Sequence, residues 1–156
     1  MGDRNRATVL AEFVMRNWNP CRVADVAGGQ GDLSLWLTLH GYECTVIDPR
    51  NTALGKQLRV QVRRNNLHIG RLRKKYSRNM ASDYDLVVGL HPDGATKELA
   101  LSAQVAPVVI VPCCNMWAPG QPVNGLIEDT WNRMGVDWWM TNLPMHGRNT
   151  VYIGNK

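Results

Sequence analysis

Arg22-Val23-Ala24-Asp25-Val26-Ala27-Gly28-Gly29-Gln30-Gly31-Asp32 joins a short apolar strand to a glycine-rich turn, and the residues beyond it complete a unit. Leu33 to His40 has the composition of a helix, and Cys44-Thr45-Val46-Ile47 makes a second apolar strand that ends on an acid, Asp48. Strand, turn, helix, strand and acid form one βαβ unit. Glycines let the backbone take left-handed angles and approach a ligand closely, and the helix they open offers unpaired N–H groups to a polar or anionic ligand. The turn therefore reads as a nucleotide cradle. Asp48, at the carboxyl end of the second strand, is placed to accept hydrogen bonds from both hydroxyls of an adenosine ribose.

Two ligands satisfy that description, a dinucleotide and S-adenosylmethionine. Asp25, two residues before the turn, discriminates between them: a negative charge there crowds a pyrophosphate and suits a ligand with an amino group and a sulfonium. Asp25-Val26-Ala27-Gly28-Gly29-Gln30-Gly31-Asp32 resembles the first motif of class I S-adenosylmethionine-dependent methyltransferases, with Asp48 matching their ribose-binding acid. The commonest form of that motif has glycine where this chain has Ala27. The resemblance implies S-adenosyl-L-methionine as cofactor, bound by Asp25, Ala27, Gly28, Gly29, Gly31, Asp48, Pro49, Leu90 and His91.

Charge is unevenly spread. The chain carries a formal net charge of +5, yet between Asp48 and Asp83 there are ten basic residues and no acidic one, while the remainder has 8 basic and 13 acidic residues. Such a block beside a nucleotide cradle points to a polyanionic partner, most simply a nucleic acid held through its phosphates. Leu54, Leu58, Gln61 and Val62 fall at helical spacing, and Lys56, Arg59 and Arg63 lie three and four apart on another face. The segment 50–80 thus contains an amphipathic helix with a cationic stripe, then a short basic strand around His68 to Leu72. The expected nucleic-acid contacts are Lys56, Arg59, Arg63, Arg64, Arg71, Arg73, Lys74 and Lys75, joined by Trp117 as a stacking platform. Solvation of an ordinary surface helix is the plainer alternative for such a run.

The rest of the chain alternates helix and strand as a parallel sheet covered by helices requires. Val9, Leu10, Phe13 and Val14 form an apolar stripe in an N-terminal helix within 1–19. Tyr84 to Leu90 and Pro107 to Val111 read as buried strands, Ala95 to Gln104 and Asn124 to Met134 as helices, the latter with Ile127, Trp131 and Met134 inward. Val136 to Leu143 and Asn149 to Gly154 are strands whose connection is too short for a parallel crossover, so they form an antiparallel hairpin. The expected fold is α/β: a doubly wound, mostly parallel seven-stranded sheet closed by that hairpin, with residues 84–156 as its C-terminal half and 1–156 as one methyltransferase domain.

Ligands of open α/β sheets bind at the carboxyl edge of the strands. Two further strand ends face that edge, Gly89-Leu90-His91-Pro92-Asp93-Gly94-Ala95-Thr96 and Val111-Pro112-Cys113-Cys114-Asn115. The first lacks the Asn-Pro-Pro-Tyr or Asp-Pro-Pro-Tyr of enzymes that methylate a base's exocyclic amine. With the Cys-Cys pair it is similar instead to tRNA ribose 2′-O-methyltransferases carrying Gly-x-His, Ala-Thr and Leu-Ala-Leu, without their zinc-binding extensions. His91, Asp93 and Asn115 are the catalytic candidates: His91 to orient an acceptor hydroxyl or take its proton, Asn115 as a polar contact. For Asp93, capping of the helix that follows is the favoured role, and for Cys113 and Cys114 it is buried packing.

At 156 residues the chain is long enough for one core. No apolar run approaches the roughly 20 residues needed to span a bilayer and no apolar signal core opens the chain, so a soluble, cytoplasmic protein with reduced thiols is expected. The four cysteines lack Cys-x-x-Cys spacing, which argues against a zinc site. The sequence thus points to a methyltransferase acting on RNA. A protein or small-molecule methyltransferase, and a non-catalytic subunit of the same fold with a protein partner or a second copy of itself, remain alternatives.

Overall fold

Residues 5–113 and 116–156 are described by the structure, a computed structural model. Strand β1 (Arg22–Val26) pairs in parallel with β2 (Glu43–Ile47) on one side and β4 (Leu86–Leu90) on the other. The edge strand β3 (Gly70–Leu72) lies outside β2, and β5 (Val108–Val111) outside β4. The hairpin strands β6 (Asp137–Asn142) and β7 (Thr150–Asn155) complete a seven-stranded sheet of order β3-β2-β1-β4-β5-β7-β6, in which β7 runs antiparallel to both neighbours. The expected mostly parallel sheet with its C-terminal hairpin is therefore present. Chain order reverses between β1 and β4, and that switch point opens a crevice at their carboxyl ends.

Alternation along the strands creates two cores. Val23, Leu86, Val88, Val109 and Val111 point to one face, where α1 (Arg6–Asn17) and α2 (Asp32–Leu39) cover them with Leu10, Phe13, Val14, Leu33 and Leu37. Ala24, Val26, Val87, Val108 and Ile110 point to the other, covered by α4 (Thr96–Leu101) and α5 (Val123–Met134) through Leu99, Ala100, Ile127 and Trp131. Strands buried on both faces explain the apolar run of β4 and the unbroken valine and isoleucine run of β5. No helix among the described residues is long and apolar enough to cross a membrane.

Three elements depart from expectation. The helix expected over Ala95 to Gln104 is α4 alone, flanked by 3-10 turns at Asp93–Ala95 and Ser102–Gln104. Helix α3 (Lys56–Arg64) forms, but no residue of it is buried, because it lies outside the sheet and packs only lightly, against α2. Its Leu58 and Val62 are half-buried, and Val60 is exposed. The basic strand is confined to the three residues of β3.

Trp131 anchors the second core. It is fully buried, its indole N–H donates to the Ala100 carbonyl at 2.8 Å, and its ring meets Tyr152 edge-on. Trp131→Ala is expected to cost about 3–5 kcal/mol in urea unfolding; a loss below about 1 kcal/mol would contradict this packing.

Candidate functional site

The strand ends bring the glycine turn, Asp48 and the segment after β4 into one crevice, because β1 and β2 pair level, Val26 opposite Ile47. Ala27 takes a left-handed φ of 55°, as do His91 at 53° and Asp93 at 47°. Such angles are costly for non-glycine residues and cluster where function over-determines the backbone. The Ala27 N–H donates to the Ile47 carbonyl, which ties the turn to β2. At Gly28, an added Cβ would stand 2.5 Å from Asp25 Cγ, so the turn passes directly over the Asp25 carboxyl group and glycine is sterically required.

Two cavities meet at Ala27. One, of about 320 Å³, is lined by Arg6, Thr8, Asp25, Gly28, Trp36 and Leu90 among others. The other, of about 460 Å³, is lined by Asp48, Pro49, Arg50, Tyr76, Asp93 and Met116 among others. Asp25 is 1% exposed, and its Oδ2 accepts a 2.7 Å hydrogen bond from the Ser34 hydroxyl. Among the described residues its Oδ1 is buried without a hydrogen-bond partner, as is Nε of Arg6 on the rim of the same cavity. Burial raises the Asp25 carboxyl to a pKa of about 6, against the pull of the Ser34 bond. An unsatisfied buried acceptor and donor lining one cavity are costly in isolation. They match a ligand that brings an ammonium and a carboxylate.

Asp48, at the other cavity, is also 1% exposed, and its carboxylate is fully engaged. Oδ1 accepts from the Arg50 N–H at 2.9 Å and from Arg50 Nε at 3.0 Å. Oδ2 accepts from the Gly29 N–H at 3.0 Å and from Arg50 Nη2 at 2.7 Å. These bonds, the guanidinium first, hold the pKa down at about 2. Tyr76 closes the cavity floor with its hydroxyl on Ser102, and burial drives its pKa up to about 12.

Arg71, expected to meet a phosphate, turns inward instead. Its Nη1 donates to the Gly29 carbonyl at 2.8 Å and its Nη2 to the Gln30 carbonyl at 2.9 Å, with Thr52 bridging to the same Gly29 oxygen. A planar fork with two donors on one side matches two successive carbonyls. Lys56, Arg59, Arg63, Arg64, Arg73, Lys74 and Lys75 are exposed and make no ion pair among the described residues, and Lys75 reaches the rim of the larger cavity. Trp117 is half-buried and packs on the second core.

His91 is a strut. Arg6 donates to its Nδ1 at 2.8 Å, and because a guanidinium has no acceptor, the ring proton resides on Nε2, which faces the Arg148 carbonyl at 3.2 Å. The lone pair a general base needs is thus taken, which removes His91 as a proton acceptor in this geometry and makes it the link between α1, β4 and the β6–β7 loop. Asp93 does not stand ahead of its helix as a cap. It lies inside the 3-10 turn, and its Oδ1 accepts from Cys113 Sγ at 2.9 Å. That Cys113 is half-buried and polar-bonded departs from simple packing. Asn115 and Cys114 lie outside the described residues. Among the described residues no group of His, Cys, Asp or Glu is arranged to hold a metal ion.

Sequence reasoning missed Arg6, Arg50, Thr52 and Tyr76 as parts of the site. Arg50 and Tyr76 carried a signal, since they follow the ends of β2 and β3 at the ligand-facing edge; Arg6 carried none, being 85 residues from its partner His91.

His91 is expected to titrate below 6.5, since burial and Arg6 both disfavour the imidazolium. Side-chain nitrogen NMR should therefore show the Nε2–H tautomer persisting at pH 6.5, and stability should be lost as pH falls through that lowered pKa. A pKa at or above 6.5 would refute the Arg6 contact.

Known proteins place this geometry. The sequence family described as tellurite resistance protein TehB matches residues 7–92, whereas no curated protein matches. The magnesium protoporphyrin IX methyltransferase of Synechocystis, solved with bound SAH, is similar over 97% of this chain and 83% of its own at 14% identity, with a TM-score of 0.68. An O-methyltransferase family protein from Burkholderia thailandensis is 16% identical over 96% of this chain, with a TM-score of 0.64. TehB from Haemophilus influenzae is 19% identical over 96%, with a TM-score of 0.53. The chain spans 55% of the Burkholderia protein and 61% of the Haemophilus one. At such identities these structures speak for the fold alone, and neither they nor the family match echo the narrower likeness to tRNA ribose methyltransferases. Matched over more than half its length, the chain belongs to the TehB family and has the class I methyltransferase fold.

Proposed function

We propose that this protein is an S-adenosylmethionine-dependent methyltransferase whose acceptor is RNA. The observation that carries the cofactor is the orphaned pair in the smaller cavity, Asp25 Oδ1 and Arg6 Nε, beneath a turn that admits only glycine at position 28. Asp25 and Arg6 would hold the amino and carboxylate groups of the methionine end. Asp48 would hold the ribose, and Pro49, Tyr76 and Met116 would flank the base. When bound, the cofactor supplies an electrophilic methyl on a sulfonium. The chain supplies orientation and a crevice walled by Leu90, Ala27 and the His91 strut. With both nitrogens of His91 committed, its contribution is positioning: it fixes Arg6 at the cofactor end and the 146–148 loop across the strand ends.

Support for RNA comes from the seven exposed cations of α3 and the segment 73–75, none in an ion pair among the described residues, which continue to the cavity rim at Lys75. Surface cations are normally interspersed with acids, and an unbroken set favours a polyanion. The fold neighbours are divided on acceptors: one is a magnesium protoporphyrin IX methyltransferase, another a ribosomal protein L11 methylase and a third is described as a "putative RNA methyltransferase".

Two measurements test the proposal. Calorimetric titration with S-adenosylhomocysteine should show binding that is lost in Asp48→Ala. It should also weaken by about tenfold per unit as pH falls below about 6, where Asp25 becomes protonated in the free protein. In the same window Asp25 affects stability in the opposite sense: its raised pKa stabilises the fold at low pH, and that contribution is lost as pH rises through about 6. Methyl transfer from radiolabelled cofactor to total RNA should fall steeply with salt and with Arg59→Glu plus Arg63→Glu. Transfer to protein or small molecules alone would overturn the RNA acceptor while leaving the cofactor assignment intact.

A further inference from the structure

We infer that Arg50 is a built-in competitor for the ribose site, and that its release couples cofactor binding to the polyanion face. The inference rests on the cofactor assignment proposed above. A carboxylate offers about four lone-pair positions, and all four on Asp48 are taken: one by the Gly29 N–H, one by the Arg50 N–H, and two by the Arg50 side chain through Nε and Nη2. The two backbone donors belong to the fold of the turn and of the strand end. The side-chain fork is the removable part, since the Arg50 side chain is 60% exposed while that of Asp48 is 0% exposed. Two vicinal hydroxyls need the two positions that the fork holds, so Arg50 has to leave Asp48 before the ribose can be seated there.

The released guanidinium enters a set of charges already defined. Arg50 and Lys75 line the same cavity, and Lys75 is the inner end of the unpaired cations that include Lys74, Arg73, Arg59 and Arg63. Cofactor occupancy thus adds one cation to the face that would meet phosphate. By linkage, a polyanion that attracts Arg50 away from Asp48 strengthens cofactor binding by the same factor. Asp93 and Glu98 line that cavity too and are the rival partners for the freed side chain, Asp93 already acting on Arg50 at a distance.

Titration of wild type, Arg50→Ala and Arg50→Gln with S-adenosylhomocysteine tests both parts, with thermal melts to establish that each variant is folded. Both variants are expected to bind roughly three- to tenfold more tightly than wild type, the range for losing an exposed but bidentate competitor. Equal or weaker binding by the folded variants, with wild type binding normally, overturns the competition and leaves the cofactor assignment standing. Absence of binding in all three folded proteins overturns both. In a second arm, a mixed-sequence single-stranded RNA 20-mer should tighten cofactor binding to wild type and leave Arg50→Ala unchanged. RNA without effect on wild type overturns the coupling and places the freed guanidinium on Asp93 or Glu98.

Discussion

A carboxyl group held out of water beneath a peptide turn organises this molecule. Asp25 lies in the buried stretch Val23–Val26 of β1, and the chain crosses it at Gly28 so closely that no side chain fits between. That proximity forces the turn outward at Ala27 and directs the Gly29 N–H to Asp48. It also orients the carbonyls of Gly29 and Gln30 toward Arg71. The two acids of the crevice are then set apart by environment. One is desolvated and held near pH 6; the other is saturated with donors and held near 2. A single ligand with a cationic end and a diol end matches both.

Much of this was legible in the chain. Residues 22–48 announce strand, turn, helix, strand and acid in consecutive order, and each signal is local: glycines, an apolar run, an acid at a strand end. The hairpin was legible for a geometric reason, since no parallel crossover fits between Leu143 and Asn149. What was not legible depended on pairs distant in sequence. Arg71 reads as one cation among ten, and only the parallel register of β3 against β2 brings its fork onto the turn. His91 reads as a base until α1 delivers Arg6 to its Nδ1. The single helix expected over Ala95 to Gln104 is α-helical only over Thr96–Leu101, and it tightens at Ser102, whose hydroxyl bonds back to the Glu98 carbonyl. In α3 the apolar spacing was real, but spacing defines a face and not whether anything covers it.

Apart from Arg78, which pairs with Glu98, the basic segment thereby divides into two populations with different chemistry. Arg50 and Arg71 are folded onto the cradle and shape it, whereas the cations of α3 and 73–75 stay in solvent. Composition treats them as one block of charge, but they differ in what their loss would do. Removing an inward guanidinium changes the shape of the turn or pocket it touches, while removing a cation of α3 chiefly changes a field that salt can screen.

The order of strands at the far edge has a consequence for how β6 is held. β7 lies between β5 and β6, so β6, though made earlier, is attached to the sheet only through residues 150–155. Without residues 150–155, Trp138 and Trp139 lie in a strand with no ladder partner in this sheet. Proteolytic clipping just ahead of Thr150 would therefore detach two strands rather than one, and leave the ladder groups of Val108 to Ile110 bare. The strand that follows the hairpin turn is thus the one that joins β6 to the rest of the sheet.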